Sequence, residues 1–166
     1  MSPPDDIWST TVLAGTGIDP GTAAGTAVER RADIMAMTQT AEDAVLRPND
    51  PGAWPHDLRL ALAARIARLN DSDTLAATYL EKLGASPYAD IADPTQDNTH
   101  AELAACLRFT DQVATRPSTI TAADIEILQD AGIADADIVR LTELNAFLAY
   151  QIRLAAGLAL LTGASS

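Results

Sequence analysis

Ile120–Gly163, ITAADIEILQDAGIADADIVRLTELNAFLAYQIRLAAGLALLTG, is the stretch that decides the fold, because it reads as two helices joined by a tight turn. Thr121 and Asp124 form a T-x-x-D start, with a hydroxyl able to accept from a first-turn N–H and a carboxylate at the positive end of the helix dipole. Gly132 followed by Ile133 is a stop signal, since glycine enters the left-handed region without a Cβ penalty. A second helix is expected from about Asp135 to Leu161, with Gly163 beyond its end. It carries two apolar stripes at helical spacing: Ile138, Leu141, Leu144, Leu148, Ile152 and Ala155, then Val139, Phe147, Tyr150, Leu154, Leu158 and Leu161. One stripe suffices to cover a domain's own core, so the second is read as a subunit interface, with burial at the centre of a monomer as the alternative. On this reading the rest of the chain packs around Ile120–Gly163.

The remaining helices follow from their punctuation. Residues 1–20 mix Pro, Gly, Thr and Asp and read as an N-terminal arm on the surface, followed by a single helical domain over 21–166. Thr22 is placed to cap a long helix to about Leu46, with Val28, Ala32, Met35, Ala41 and Val45 inward. The run Arg47-Pro-Asn-Asp-Pro-Gly ends it, and Pro55 opens a helix to about Leu69. There Leu58, Leu62, Ile66 and Leu69 face the core and Arg59, Arg65 and Arg68 point mostly outward. Asn70-Asp71-Ser72-Asp73 reads as a capping elbow before a helix from Thr74 to Leu83, stopped by Gly84. A loop from Gly84 to Asn98 leads to a T-x-x-E capping box, Thr99 to Glu102, and a helix to about Ala114 with Leu103, Cys106, Leu107, Thr110 and Val113 inward. Abundant Ala and Leu without sustained period-two alternation make the expected fold all-α.

With 166 residues the chain is large enough for a hydrophobic core without a metal or disulfide staple. A net charge of −12 and a pI near 4.3 disfavour nucleic-acid and anionic-membrane partners, because no basic stripe offsets the repulsion. The single cysteine, Cys106, admits no intrachain disulfide and fits a reducing compartment. MSPPDDIWSTT lacks the basic start and apolar run of a signal peptide, so the expected location is cytoplasmic. The longest apolar run, Leu154–Leu161, is shorter than the roughly 18–20 residues that span a bilayer.

Little in the sequence carries chemistry by itself. Two histidines and one cysteine are too few for ordinary zinc sites, and Asp71 with Asp73 lacks the glycine and closing glutamate of a calcium loop, so no metal and no cofactor is expected. Gly15-Thr-Gly17 is not a phosphate loop. Cys106 reads as an inert core thiol. His100, in a first turn, is expected to have its pKa lowered by the helix dipole; it and His56 read as surface histidines, with a base at His100 as the functional alternative.

The hairpin LRLALAARIARLNDSDTLAATYLEKLGA, together with the pattern running from LRFTDQVATRPSTITAADIEILQDAGI into the long apolar helix, resembles the carboxymuconolactone decarboxylase and alkylhydroperoxidase D-like (AhpD-like) superfamily over roughly Leu58–Leu161. The resemblance implies an all-helical bundle that assembles as a dimer, trimer or hexamer. Its peroxidase branch carries E-x-x-C-x-x-C-x-x-x-H, and those positions fall here on Leu69, Ser72, Leu75 and Tyr79. Both thiols are replaced, so no catalytic disulfide can form. The resemblance therefore implies a non-catalytic or partner-type protein of antioxidant defence, a homo-oligomer or the companion of a cysteine-bearing homologue. The alternative is a cysteine-independent enzyme acting on a small organic acid or lactone, with Tyr79, Ser72 and His100 as its candidate polar residues and Tyr79 as proton donor or substrate anchor.

Overall fold

The computed structural model describes residues 6–96 and 100–163, and every regular element among them is helical. The elements are α1 (Ala23–Glu29), α2 (Ala32–Leu46), α3 (His56–Leu69), α4 (Asp73–Leu83), α5 (Ala104–Thr115), α6 (Ala122–Asp130) and α7 (Asp135–Ala159), with short 3-10 turns between and around them.

The centre of the molecule is α3, which corrects the expectation that the chain packs around Ile120–Gly163. All ten residues from Leu58 to Ala67 are buried, and α3 touches α2, α4, α5, α7 and the 3-10 turn Ala89–Ala92. Its four alanines let neighbouring helices approach closely on several sides, while Leu58, Leu60, Leu62 and Ile66 are each at most 1% exposed. Each such apolar side chain contributes on the order of 1.5–3 kcal/mol on burial. A helix enclosed on all faces must also bury its polar residues. Arg59 and Arg65, expected outward, are 2% and 5% exposed, and both are fully engaged. Arg59 donates to the Trp54, Val45 and Pro51 carbonyls, stapling the 47–55 loop to the end of α2. Arg65 meets both carboxylate oxygens of Asp111 at 2.6 Å and the Ile91 carbonyl, tying α5 and the 89–92 turn to α3.

Several helix ends follow their signals. The Asp124 carboxylate accepts from the Thr121 N–H at 2.8 Å, opening α6. Gly132 at φ +82 lets its own N–H reach Gln129 O while the Ile133 N–H reaches Leu128 O, so α6 closes as expected. Gly84 and Gly163 end α4 and the last turn at φ +61 and +72.

Other expectations are corrected. The helix after Thr22 breaks at Arg30–Arg31 into α1 and α2; Arg31 leaves the helical region at φ −121 and its N–H bonds to Val28 O. On α2 the buried face is Met35, Thr38, Glu42 and Leu46, and Ala41 is exposed. The segment read as a surface arm contributes Thr11, Val12, Leu13 and Ile18 to the interior, against α2, α4 and α7. At the 70–73 elbow, Ser72 precedes α4 without a side-chain cap and Asn70 bonds back to Ile66 O. Thr99, half of the capping box before α5, lies outside the described residues; α5 itself starts at Ala104 after a 3-10 turn.

The two stripes of α7 separate in space. The first is buried throughout, from Ile138 to Ala155. Of the second, Phe147 is buried and Leu154 and Leu158 are half-buried, whereas Val139, Tyr150 and Leu161 are 57%, 45% and 57% exposed. Leu160, in the turn that extends α7, is 70% exposed. Among the described residues, Asp135–Thr162 is the one helix long and apolar enough to cross a membrane, with 33% of its most apolar window buried. Counting only uninterrupted apolar residues missed this, because isolated charges punctuate the helix.

Candidate functional site

Tyr79 lies at the end of a buried polar chain joining four elements. Glu42 on α2, 1% exposed, is its hub. Its Oε1 accepts from the Thr11 hydroxyl at 2.8 Å and from Lys82 Nζ on α4 at 2.5 Å, and its Oε2 accepts from Gln151 Nε2 on α7 at 2.5 Å. Gln151 Oε1 in turn accepts from the Tyr79 hydroxyl. Lys82 donates also to Thr11 Oγ1 at 2.5 Å and stands 5.7 Å from the Tyr79 ring centroid. Only Lys82, with its side chain 34% exposed, connects this group to water.

A carboxylate, an amine and a phenol together are the ingredients of acid–base chemistry, but their connectivity here leaves no place for a substrate. Both Glu42 oxygens are engaged by protein donors, two at Oε1 and one at Oε2, and Tyr79 is fully buried. Burial, reinforced by the nearby Glu42 charge and only partly offset by the bond to Gln151, raises the Tyr79 pKa far above that of a free phenol. The phenol is held neutral, as a donor to Gln151. Of this group, sequence reasoning singled out Tyr79 alone. Glu42 and Gln151 sit 109 residues apart and carried no local signal beyond being polar residues at buried helix positions.

The other candidates lie elsewhere, and no hydrogen bond joins Tyr79, Ser72 and His100. Ser72 lines an open groove of about 530 Å³ at the α3–α4 elbow, between Gly15, Thr16 and the α7 residues Ile152 and Ala155. Gly15, at φ +73, is needed there: a Cβ would lie 2.0 Å from the Thr74 methyl. His100 packs against the Tyr88 ring, and its nitrogens meet Glu102 at 3.3 Å and Asp90 at 3.2 Å. Burial lowers its pKa, but the two carboxylates outweigh it, so the imidazole is raised above its usual value. The helix-dipole expectation is thus reversed by direct acidic partners. His56 bonds to Pro48 O through Nε2.

Cys106 is 1% exposed, and burial pushes its thiol up to about 12 despite the opposing influence of the Thr110 hydroxyl. A thiol so protonated and enclosed is a poor nucleophile. A second open groove, of about 520 Å³, runs along α5 and carries Arg65, Arg108 and Arg116. Arg65 is committed to Asp111, leaving two exposed arginines facing solvent there. No group of three or more metal-ligating side chains occurs among the described residues. Comparison of the chain with protein-family models, with curated proteins and with solved structures returned no match.

Proposed function

We propose that this chain is a non-catalytic, partner-type helical protein that works by assembling through α7, as the AhpD-like resemblance implies for a member without the redox pair. The observation that carries this reading is the sealed Tyr79–Gln151–Glu42 chain. At the segment where the resemblance puts peroxide chemistry, Leu75 and Tyr79 are buried and Ser72 has no thiol beside it. The remaining thiol, on α5, is enclosed and protonated. The partner is a second copy of the chain or a cysteine-bearing homologue, and the setting is antioxidant defence.

The enzyme alternative requires Tyr79 in a concave pocket beside Ser72, His56, His100 or an arginine. Tyr79 lines neither groove, so no observation favours that alternative. The test is turnover of an organic hydroperoxide with a dithiol reductant. The expected rate equals that of buffer alone, for the native chain and for Cys106→Ser. Turnover above buffer that survives Cys106→Ser contradicts the proposal.

A further inference from the structure

Beneath its two apolar stripes, α7 carries a third pattern at a spacing of about 3.5 residues, that of a helix seam built to meet another helix. It begins at Ala136 and Val139 and ends at Gly157 and Leu160, and every position of it is exposed. We propose that this seam is the contact surface for a second copy of the chain, with the two α7 helices antiparallel about a two-fold axis at the level of residue 148.

The register is set by what must face what. Antiparallel pairing about that axis makes four layers, each occurring twice: Ala136 against Leu160, Val139 against Gly157, Glu143 against Arg153, and Ala146 against Tyr150. Each apolar layer sets a large side chain opposite a small residue, so the backbones can approach. The polar layer sets a carboxylate opposite a guanidinium. Glu143 and Arg153 are both exposed, and neither takes part in an ion pair among the described residues. Charge complementarity therefore selects this one register: sliding one helix by a single turn breaks both copies of the pair.

Gly157 supplies an independent reason. It sits within α7 with a φ outside the left-handed region, where glycine costs about 1 kcal/mol relative to alanine. Among the described residues, nothing beyond its own neighbours and helix backbone lies within 4 Å of where its Cβ would be, so their packing gives no reason for it. Opposite Val139 of the second copy, the missing side chain becomes the space into which valine fits.

A lipid surface explains the seam less well. The same helix buries Gln151 and Asn145 on its other side, bonds Arg140 to Asp50 and Asp137, and belongs to a chain of net charge −12. In lipid, Glu143 and Arg153 would enter hydrocarbon unpaired.

This inference deepens the assembly reading above and rests on it, and the experiment separates the two. The purified full chain is sized by sedimentation velocity over a concentration series, alone and with neutral phosphatidylcholine vesicles. The expected native species has twice the 17.4 kDa chain mass. Glu143→Arg and Arg153→Glu each place like charges in one layer and are expected to abolish the dimer peak. The double variant Glu143→Arg/Arg153→Glu restores it. Gly157→Leu, which raises helix propensity and has room in the monomer, is expected to give folded monomer by circular dichroism. A native chain that stays monomeric, with or without floating on the vesicles, overturns this inference and the self-assembly arm of the reading above, leaving only a different partner protein. A native dimer indifferent to the single charge reversals and to Gly157→Leu overturns the antiparallel seam alone.

Discussion

The Tyr79 hydroxyl is more useful to the molecule as a hydrogen-bond donor than as an acid. Removing it leaves Gln151 Oε1 buried without a donor, and an unmet buried acceptor costs about 1–3 kcal/mol. Tyr79→Phe is therefore expected to lower unfolding free energy by that amount in urea denaturation, with no change in oligomeric mass. An unchanged midpoint would mean that Gln151 has another donor. Glu42, Lys82 and Gln151 depend on one another in the same way, because each satisfies a group the others would strand. Individual polar residues were the least legible part of the sequence. Tyr79 was singled out for its place in a motif, while its bonded partner Gln151, on α7, and the Glu42 and Thr11 that follow in the chain belong to other elements and are brought to it by tertiary packing. His100 is a second case: its position near a helix start suggested a lowered pKa, and two carboxylates brought in by the fold raise it.

At the level of elements, Arg59 shows why α3 can be the core helix despite its charges. Its guanidinium spans two carbonyls of the 47–55 loop, Pro51 and Trp54, and the Val45 carbonyl of α2, a task that its planar fork performs and a single ammonium cannot. Arg59→Lys is expected to destabilise the fold by about 1.5–3 kcal/mol, the worth of a hydrogen bond to a charged group. Hydrogen exchange in 47–55 should rise ahead of the rest, and uniform exchange would show that the loop holds itself. The stops at Gly84, Gly132 and Gly163 and the start at Thr121 were legible because their causes lie within a few residues. The break at Arg30–Arg31 was not, since neither glycine nor proline marks it. Nor was the rank of α3: a helix with three arginines reads as half-exposed until their partners Asp111, Ala92 O and the loop carbonyls are known. The all-α class needed only composition and periodicity, and it holds for every described element.

For the whole molecule, the interior is closed and the outside of α7 is open. The buried polar groups around Tyr79 are consumed in joining α2, α4, α7 and the 3-10 turn Thr11–Leu13, while α7 keeps a long exposed seam of self-complementary residues, of which Tyr150 also bonds Thr38 on α2. On the function proposed above, the chain acts by contact, and two copies meet through antiparallel α7 helices. The most direct measurement is the distance between spin labels in the dimer. A label at Asp135→Cys reads it without replacing Cys106, which is buried and unreactive. With a rise of about 1.5 Å per residue, the two labels are predicted to lie about 39 Å apart along the helix axis, and labels at Thr142→Cys about 18 Å apart. Short and equal separations at the two positions would mean parallel helices and would contradict the account.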